Sequence, residues 1–208
     1  MIATLLVIVA AYLIGALSGG LLIGRLLGKA DLRAAGSGNA GATNALRTGG
    51  KLYGVLVLLF DLAKGVVAAG LLPLLVAGGP GWLAFACGAA AVIGHVYPVY
   101  FGFAGGKGAA TLIGVLVVLA PGPLVPGVLT FLVVLVLSGM VSLAILLAMG
   151  AVVFAQAVWV WPALGSAPVL FALAMWLLML FTHRSNVSRL LAGEESRFER
   201  VMLLRRRR

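Results

Sequence analysis

Three short segments hold nearly all the side chains in this chain that could do chemistry. They are Asp31–Lys51, with GSGNAGATNALRTGGK over Gly36–Lys51, Gly94–Thr111 (GHVYPVYFGFAGGKGAAT) and Thr182–Glu199 (THRSNVSRLLAGEESRFE). The first is small, polar and basic. Gly36, Gly38 and Gly41 let a backbone approach a ligand closely, and Ser37, Asn39, Thr43, Asn44 and Arg47 offer donors that suit a phosphate. In the second, Gly105-Gly106-Lys107-Gly108 runs straight into an apolar stretch. That order would put glycine amides and a lysine at a helix N-terminus, where exposed N–H groups and the macrodipole favour an anion. The spacing is not that of a Walker A loop, and the tetrapeptide alone is a weak signal that gains weight beside the first segment. In the third, His183, Asn186 and Arg189 stand three apart and would project from one side of a helix. A solvated basic tail is the plainer alternative, but neutral Asn186 and His183 add nothing to a membrane anchor. The chemistry expected is therefore the holding of phosphate.

Other chemistries have little support. With two histidines and no HExxH spacing, no metal site is expected. Gly36-Ser37-Gly38 lacks the spacing of a GxSxG nucleophile turn. Cys87 lies in an apolar stretch and is read as a small buried residue, and His95, near a helix end, is read as structural.

The elements that must position these segments are membrane helices. The 208-residue chain is 63% hydrophobic, has a mean hydropathy of +1.19 and is only 10% charged, against about a quarter in soluble domains. The alternation of a membrane β-barrel is absent, so an all-α integral membrane bundle is expected, forming a single domain over residues 1–208. Seven apolar segments are expected, near 2–27, 52–77, 82–101, 108–120, 124–138, 141–160 and 164–182. The fourth and fifth are short, and Pro121-Gly122-Pro123 is expected to break the chain between them. The first has no basic stretch before it and is read as a retained helix, not a signal peptide.

Charge sets the orientation. Arg25, Lys29, Arg33, Arg47 and Lys51 fall at the first connection, Lys107 at the third, and Arg184, Arg189, Arg197, Arg200 and Arg205–Arg208 after the last span. With seven spans all of these lie on one side, which the positive-inside rule makes cytoplasmic. The N-terminus is then outside, and all three polar segments meet the cytoplasmic face. The net charge of +10 is read as attraction to anionic lipid headgroups, with the terminal arginines as an anchor, and not as nucleic-acid binding. Asp61 and Lys64 are the exception: they lie within the second apolar segment, on one helix face. Either they form an ion pair that holds helix packing or they help to shape the site.

Together the segments resemble the bacterial acyl-phosphate:glycerol-3-phosphate acyltransferases of the PlsY type. That family carries GSGNxGATNxxR, GHxxPVxxxFxGGKGxAT and HxxNxxRLLxGxE, matched here by Gly36–Arg47, Gly94–Thr111 and His183–Glu195. A D-x-x-K-G element matches Asp61, Lys64 and Gly65. The resemblance spans essentially the whole chain. Ala104 departs from it, where the family often has lysine, as do Gly139 and Met140, where it often has an Arg-Tyr pair. Ser142 matches a family serine.

The resemblance implies transfer of a fatty acyl group from acyl phosphate to the 1-hydroxyl of glycerol 3-phosphate. The products would be 1-acylglycerol 3-phosphate, a lysophosphatidic acid, and phosphate, in the first acylation step of membrane phospholipid synthesis. It further implies a multi-pass protein of the bacterial inner membrane that needs no cofactor or metal, has these substrates and membrane lipids as its partners, and acts as a monomer. Catalytic roles would fall to Ser37, Arg47, Lys107, His183 and Asn186. Substrate contacts would come from Gly36, Gly38, Asn39, Gly41, Thr43, Asn44, Gly105, Gly106, Gly108, Ser142, Arg189 and Glu195. Arg47, Lys107, His183 and Asn186 are assigned to glycerol 3-phosphate. Ser37, Asn39 and the amides around Gly38–Gly41 and Gly105–Gly108 are assigned to the acyl phosphate and its oxyanion. The base stays open between His183, a side chain whose ordinary titration lies near physiological pH, and the leaving phosphate. No His-Asp pair five residues apart exists, since Tyr100 and Ser188 hold those places. A transporter of a phosphorylated small solute is the rival class. Against it stand the one-sided polar chemistry and the lack of an internal repeat.

Overall fold

The apolar runs are helices in the computed structural model, which describes residues 1–199 and Met202. Arg200 and the terminal Arg205–Arg208 anchor lie outside the described residues. Among those described there is no strand. Four helical stretches are long and apolar enough to cross a membrane: Lys51–Leu75, Leu83–Phe101, Pro121–Ser138 and Val141–Trp159. Two bent pairs bring the number to six, and the short Ala109–Leu119 is a further apolar helix. The chain divides into two compact units, Met1–Leu119 and Ala120–Arg208.

In the first unit the leading apolar run is not one helix. It is α1 (Ile2–Gly15) and α2 (Gly19–Leu26), bent by 50° at the break. A break within a span frees backbone groups that apolar surroundings cannot satisfy, at a cost of several kcal/mol each. The next long helix supplies the remedy. After the short α3 (Ala42–Gly49), α4 (Lys51–Val66) carries Asp61 and Lys64, paired at 2.8 Å and almost fully buried. Lys64 Nζ donates to the carbonyls of Gly15 (2.8 Å) and Leu17 (3.0 Å). Asp61 Oδ1 accepts from the Gly19 amide at 3.3 Å. The cation thus sits at the negative end of the α1 dipole and the anion at the positive end of the α2 dipole.

The unit continues through α5 (Leu83–Val96) and α6 (Ala109–Leu119). α4 and α6 cross closely because Gly65 and Gly114 stand at the contact. A Cβ on Gly65 would collide with the Thr111 carbonyl, and one on Gly114 with the Leu62 carbonyl, the small-residue logic of helix pairs in lipid. Gly114→Val is expected to cost about 1–3 kcal/mol through overpacking. A thermal scan in detergent checks this, and an unchanged midpoint would contradict it.

The second unit begins α7 (Pro121–Ser138) one residue after α6 ends. The break expected at Pro121-Gly122-Pro123 falls at Ala120, just before the two prolines. They sit in the first turn of α7, where the missing N–H groups have no intrahelical partner to lose, so α7 is 18 residues long and not a short segment. Its C-terminus is closed by Gly139, in the left-handed region at φ 70°, whose amide donates to Leu135 O at 2.7 Å. α8 (Val141–Trp159) follows. The Nε1–H of Trp176, on α9 (Ala167–Thr182), donates to Leu146 O on α8 at 3.0 Å. A 65° bend leads into α10 (Arg184–Leu191).

Candidate active site

In the first unit the glycine-rich loop is organised by one side chain, Asn44, which is 2% exposed. Its Oδ1 accepts from the Ser37 amide at 2.9 Å, and its Nδ2 donates to the carbonyls of Leu32, Ala35 and Asn39 at 2.8–3.0 Å. Gly36 has φ 59°, and a Cβ there would collide with Asn44 Oδ1. Leu32 and Ala45 pack with Tyr53 and Val57 and seat the loop on α4. Asn44 therefore holds the loop together, which differs from the substrate contact expected of it. The amides of Ser37 and Gly38 are likewise engaged internally, Gly38 donating to Ala35 O at 3.1 Å.

What the loop presents is a set of side chains. Ser37 and Arg47 are exposed, Gly41 caps α3, and Thr43 is half-buried in the first turn of α3. Asn39 Oδ1 is buried with no hydrogen-bond partner among the described residues.

The structure brings this loop to the second segment through residues at the start of the first polar segment. Arg33 pairs with Asp31 at 2.7 Å and donates from Nη1 to Phe101 O at 2.8 Å. Its hydrogen bond to Asp31 holds that carboxyl below its ordinary value. Arg25 lies over the Phe101 ring, 5.3 Å from its centroid. The Asp31-x-Arg33 spacing was the available signal. It names the pair but not Phe101, which is 68 residues further on.

Beyond α5 the chain folds back on the helix end. The Gly105 amide donates to Val96 O at 3.2 Å and the Gly106 amide to His95 O at 3.1 Å. Those two amides close the turn and are not presented to a ligand as expected. Lys107 is half-buried, and Gly108 enters α6 at φ 89°. His95 is 2% exposed, with Nδ1 2.9 Å from Lys64 Nζ and 3.4 Å from Asp61 Oδ1.

In the second unit Glu195 is the centre, its side chain 4% exposed. Oε1 accepts from Ser142 Oγ at 2.9 Å and from Asn186 Nδ2 at 2.7 Å, and Oε2 accepts from Arg189 Nε at 2.9 Å. Gly193, at φ 73°, turns the chain after α10 so that Glu195 can reach back. Burial would raise this carboxyl's pKa, but the bonds from Asn186, Ser142 and Arg189 outweigh it and hold the group below its ordinary value. Ser142, Asn186, Arg189 and Glu195 are thus brought together. Ser142 and Arg189, expected to contact substrate, are joined through Glu195. His183, 2% exposed, has Nδ1 2.8 Å from Met179 O. A carbonyl only accepts, so Nδ1 carries a proton.

The comparisons with known proteins agree with one another. The family model described as glycerol-3-phosphate acyltransferase matches residues 5–193. A glycerol-3-phosphate acyltransferase of Halalkalibacterium halodurans is 41% identical over 94% of this chain and 95% of its own length. One from Aquifex aeolicus is 40% identical over 93% and 98%. Among solved structures, PlsY, an integral membrane glycerol 3-phosphate acyltransferase, matches in its glycerol 3-phosphate form with TM-score 0.85 and 38% identity, over 94% of this chain and 95% of that one. Its lysophosphatidic acid form matches with TM-score 0.83 and 36% identity, over the same shares.

Proposed function

We propose that this chain, which belongs to the glycerol-3-phosphate acyltransferase family, takes its acyl group from an acyl phosphate and places it on the 1-hydroxyl of glycerol 3-phosphate. It releases 1-acylglycerol 3-phosphate and inorganic phosphate, and so begins phospholipid synthesis at the bacterial inner membrane. The chain acts as a single acyltransferase domain, with its N-terminus outside and its polar segments cytoplasmic. Arg47, Lys107, His183 and Asn186 hold glycerol 3-phosphate. Ser37, Asn39 and Gly108 hold the acyl phosphate, to which Ser37 Oγ and Asn39 Nδ2 can donate.

The observation that carries the donor assignment is the setting of His183. Its Nδ1–H donates to the Met179 carbonyl, which orients the ring. A ring oriented in this way suits an activated donor whose leaving group takes the proton itself. In the proposed step the hydroxyl oxygen bonds to the acyl carbon, the C–O bond to phosphate breaks, and the hydroxyl proton passes to the departing phosphate. His183 and Asn186 aim the hydroxyl.

The test is phosphate release from palmitoyl phosphate and glycerol 3-phosphate by the purified protein. Phosphate and 1-acylglycerol 3-phosphate are expected from this donor and no 1-acylglycerol 3-phosphate from palmitoyl-CoA, whose leaving group would be the free CoA thiol; acylated product from palmitoyl-CoA but not from palmitoyl phosphate overturns the assignment. His183→Asn is expected to lower kcat by about 10-fold, the lower end of what misplacement costs, while the pH–rate profile keeps its shape. Loss of the acidic limb, where a base would be protonated and idle, would instead make His183 the base.

A further inference from the structure

The mechanism leaves one buried charged group unused: Asp61, Lys64 and His95, all at most 4% exposed. Two of the three already have work at the α1–α2 break. His95 does not touch that break, yet it lies in the last turn of α5 and its Nδ1 is 2.9 Å from Lys64 Nζ. An ammonium can only donate, so Nδ1 accepts, and the neutral ring carries its proton on Nε2.

That far side of the ring meets the glycine turn. A Cβ built on Gly106 would collide with Nε2, and with both ring carbons flanking it. A Cβ on Gly105 would collide with the His95 carbonyl. The Gly106 amide in turn donates to that carbonyl. The imidazole therefore fills the space beneath the turn, and Lys64 fixes its rotation and tautomer. A packed aromatic ring held by a charge-assisted bond is stiffer than the turn it supports, because the turn's own backbone is glycine.

We propose that His95 is a positioning residue: held by the buried Asp61–Lys64 pair, its ring sets the height and orientation of the Gly105–Gly108 turn and so places Lys107 against substrate phosphate. This rests on the function proposed above, since it needs Lys107 to meet a phosphate. It explains why the turn has glycine at 106, where any side chain would compete with the ring. It also gives the second helix's charges a consequence at the site as well as at the break.

The experiment is a double-mutant cycle on the purified, folded protein, comparing the parent with His95→Ala, Gly106→Ala and the pair. Thermal midpoint is measured beside KM for each substrate and kcat. Each single variant is expected to raise KM for one phosphate substrate by about 10- to 100-fold, the scale of an ångström-level misplacement. The pair is expected to recover part of the Gly106→Ala loss, because the new methyl then has room, so the two effects fall short of multiplying. Effects on KM that multiply independently overturn the proposal. So does a His95→Ala protein with a lowered midpoint but parental KM. If His95→Ala does not yield folded protein, His95→Gln, which keeps an acceptor for Lys64 but no ring, is read in its place. Amide hydrogen exchange across residues 105–108 gives a readout that needs no turnover. Faster exchange in the histidine variant supports the proposal, and unchanged exchange overturns it. Absence of turnover in the parent with either donor would count against the function proposed above, and the exchange result would still decide the role of His95.

Discussion

Lys64→Met should lower stability by about 3–5 kcal/mol, the cost of removing one partner from a buried ion pair. The loss has two sources. Asp61 is left as an uncompensated anion in a membrane-spanning helix, with Oδ2 already lacking a partner among the described residues. The carbonyls of Gly15 and Leu17 also lose the ammonium that caps them at the break between α1 and α2. Methionine keeps most of the stem's volume, so packing contributes little to the change. The double variant Asp61→Asn/Lys64→Met should regain part of the loss, because it buries no net charge and the Asn amide retains an acceptor for Gly19 N. Thermal scans in a single detergent measure all three. A Lys64→Met midpoint equal to the parent's would mean that the pair does not stabilise the break.

The two readings of Asp61 and Lys64 show where the sequence stopped being legible. Their spacing of three placed both on one face of α4, and their depth made pairing the natural outcome. What the spacing could not reveal was that the first apolar run is broken. Ile2–Leu27 contains no proline, and its glycines could equally be packing residues of one straight helix. The break is written in the chemistry of a different helix, whose two charges match the two dipole ends. The site was legible in the same uneven way. Residue type and order identified the three polar segments, and the motifs carried the family. Hydrogen-bond direction was not legible: Asn44, Gly105 and Gly106 look like ligand donors in one dimension, and in the fold they hold the turns together. Arg33 was placed in the first polar segment but without a partner, because its acceptor, the Phe101 carbonyl, is a backbone atom far along the chain. The prolines of α7 marked the break but not which side of it they lie on, since a proline that ends one helix and a proline that begins the next have the same local signature.

Glu195→Ala is expected to lower kcat about 100-fold, because the Asn186 amide and the Arg189 guanidinium both lose the carboxylate that aims them. Glu195→Gln separates charge from shape. Its remaining oxygen can still accept from Ser142 and Asn186, while its amide turns a donor toward Arg189, whose side chain is 40% exposed and can move into water. The glutamine variant should therefore keep more activity than alanine, and equal losses would show that charge, not the shared acceptor, is what matters. The same comparison fixes a pH dependence. The folded carboxyl is held below its ordinary value, so the unfolded state takes up protons first as pH falls. The stability that Glu195 contributes is fully present above the ordinary carboxylate pKa and is lost as pH drops through the lower, folded value. A plot of thermal midpoint against pH should then show an acidic step in the parent that is smaller in Glu195→Gln, which cannot titrate. Identical acidic slopes in the two proteins would mean that other carboxyls govern the loss, and that the cluster around Glu195 orients Asn186 without stabilising the fold through its charge.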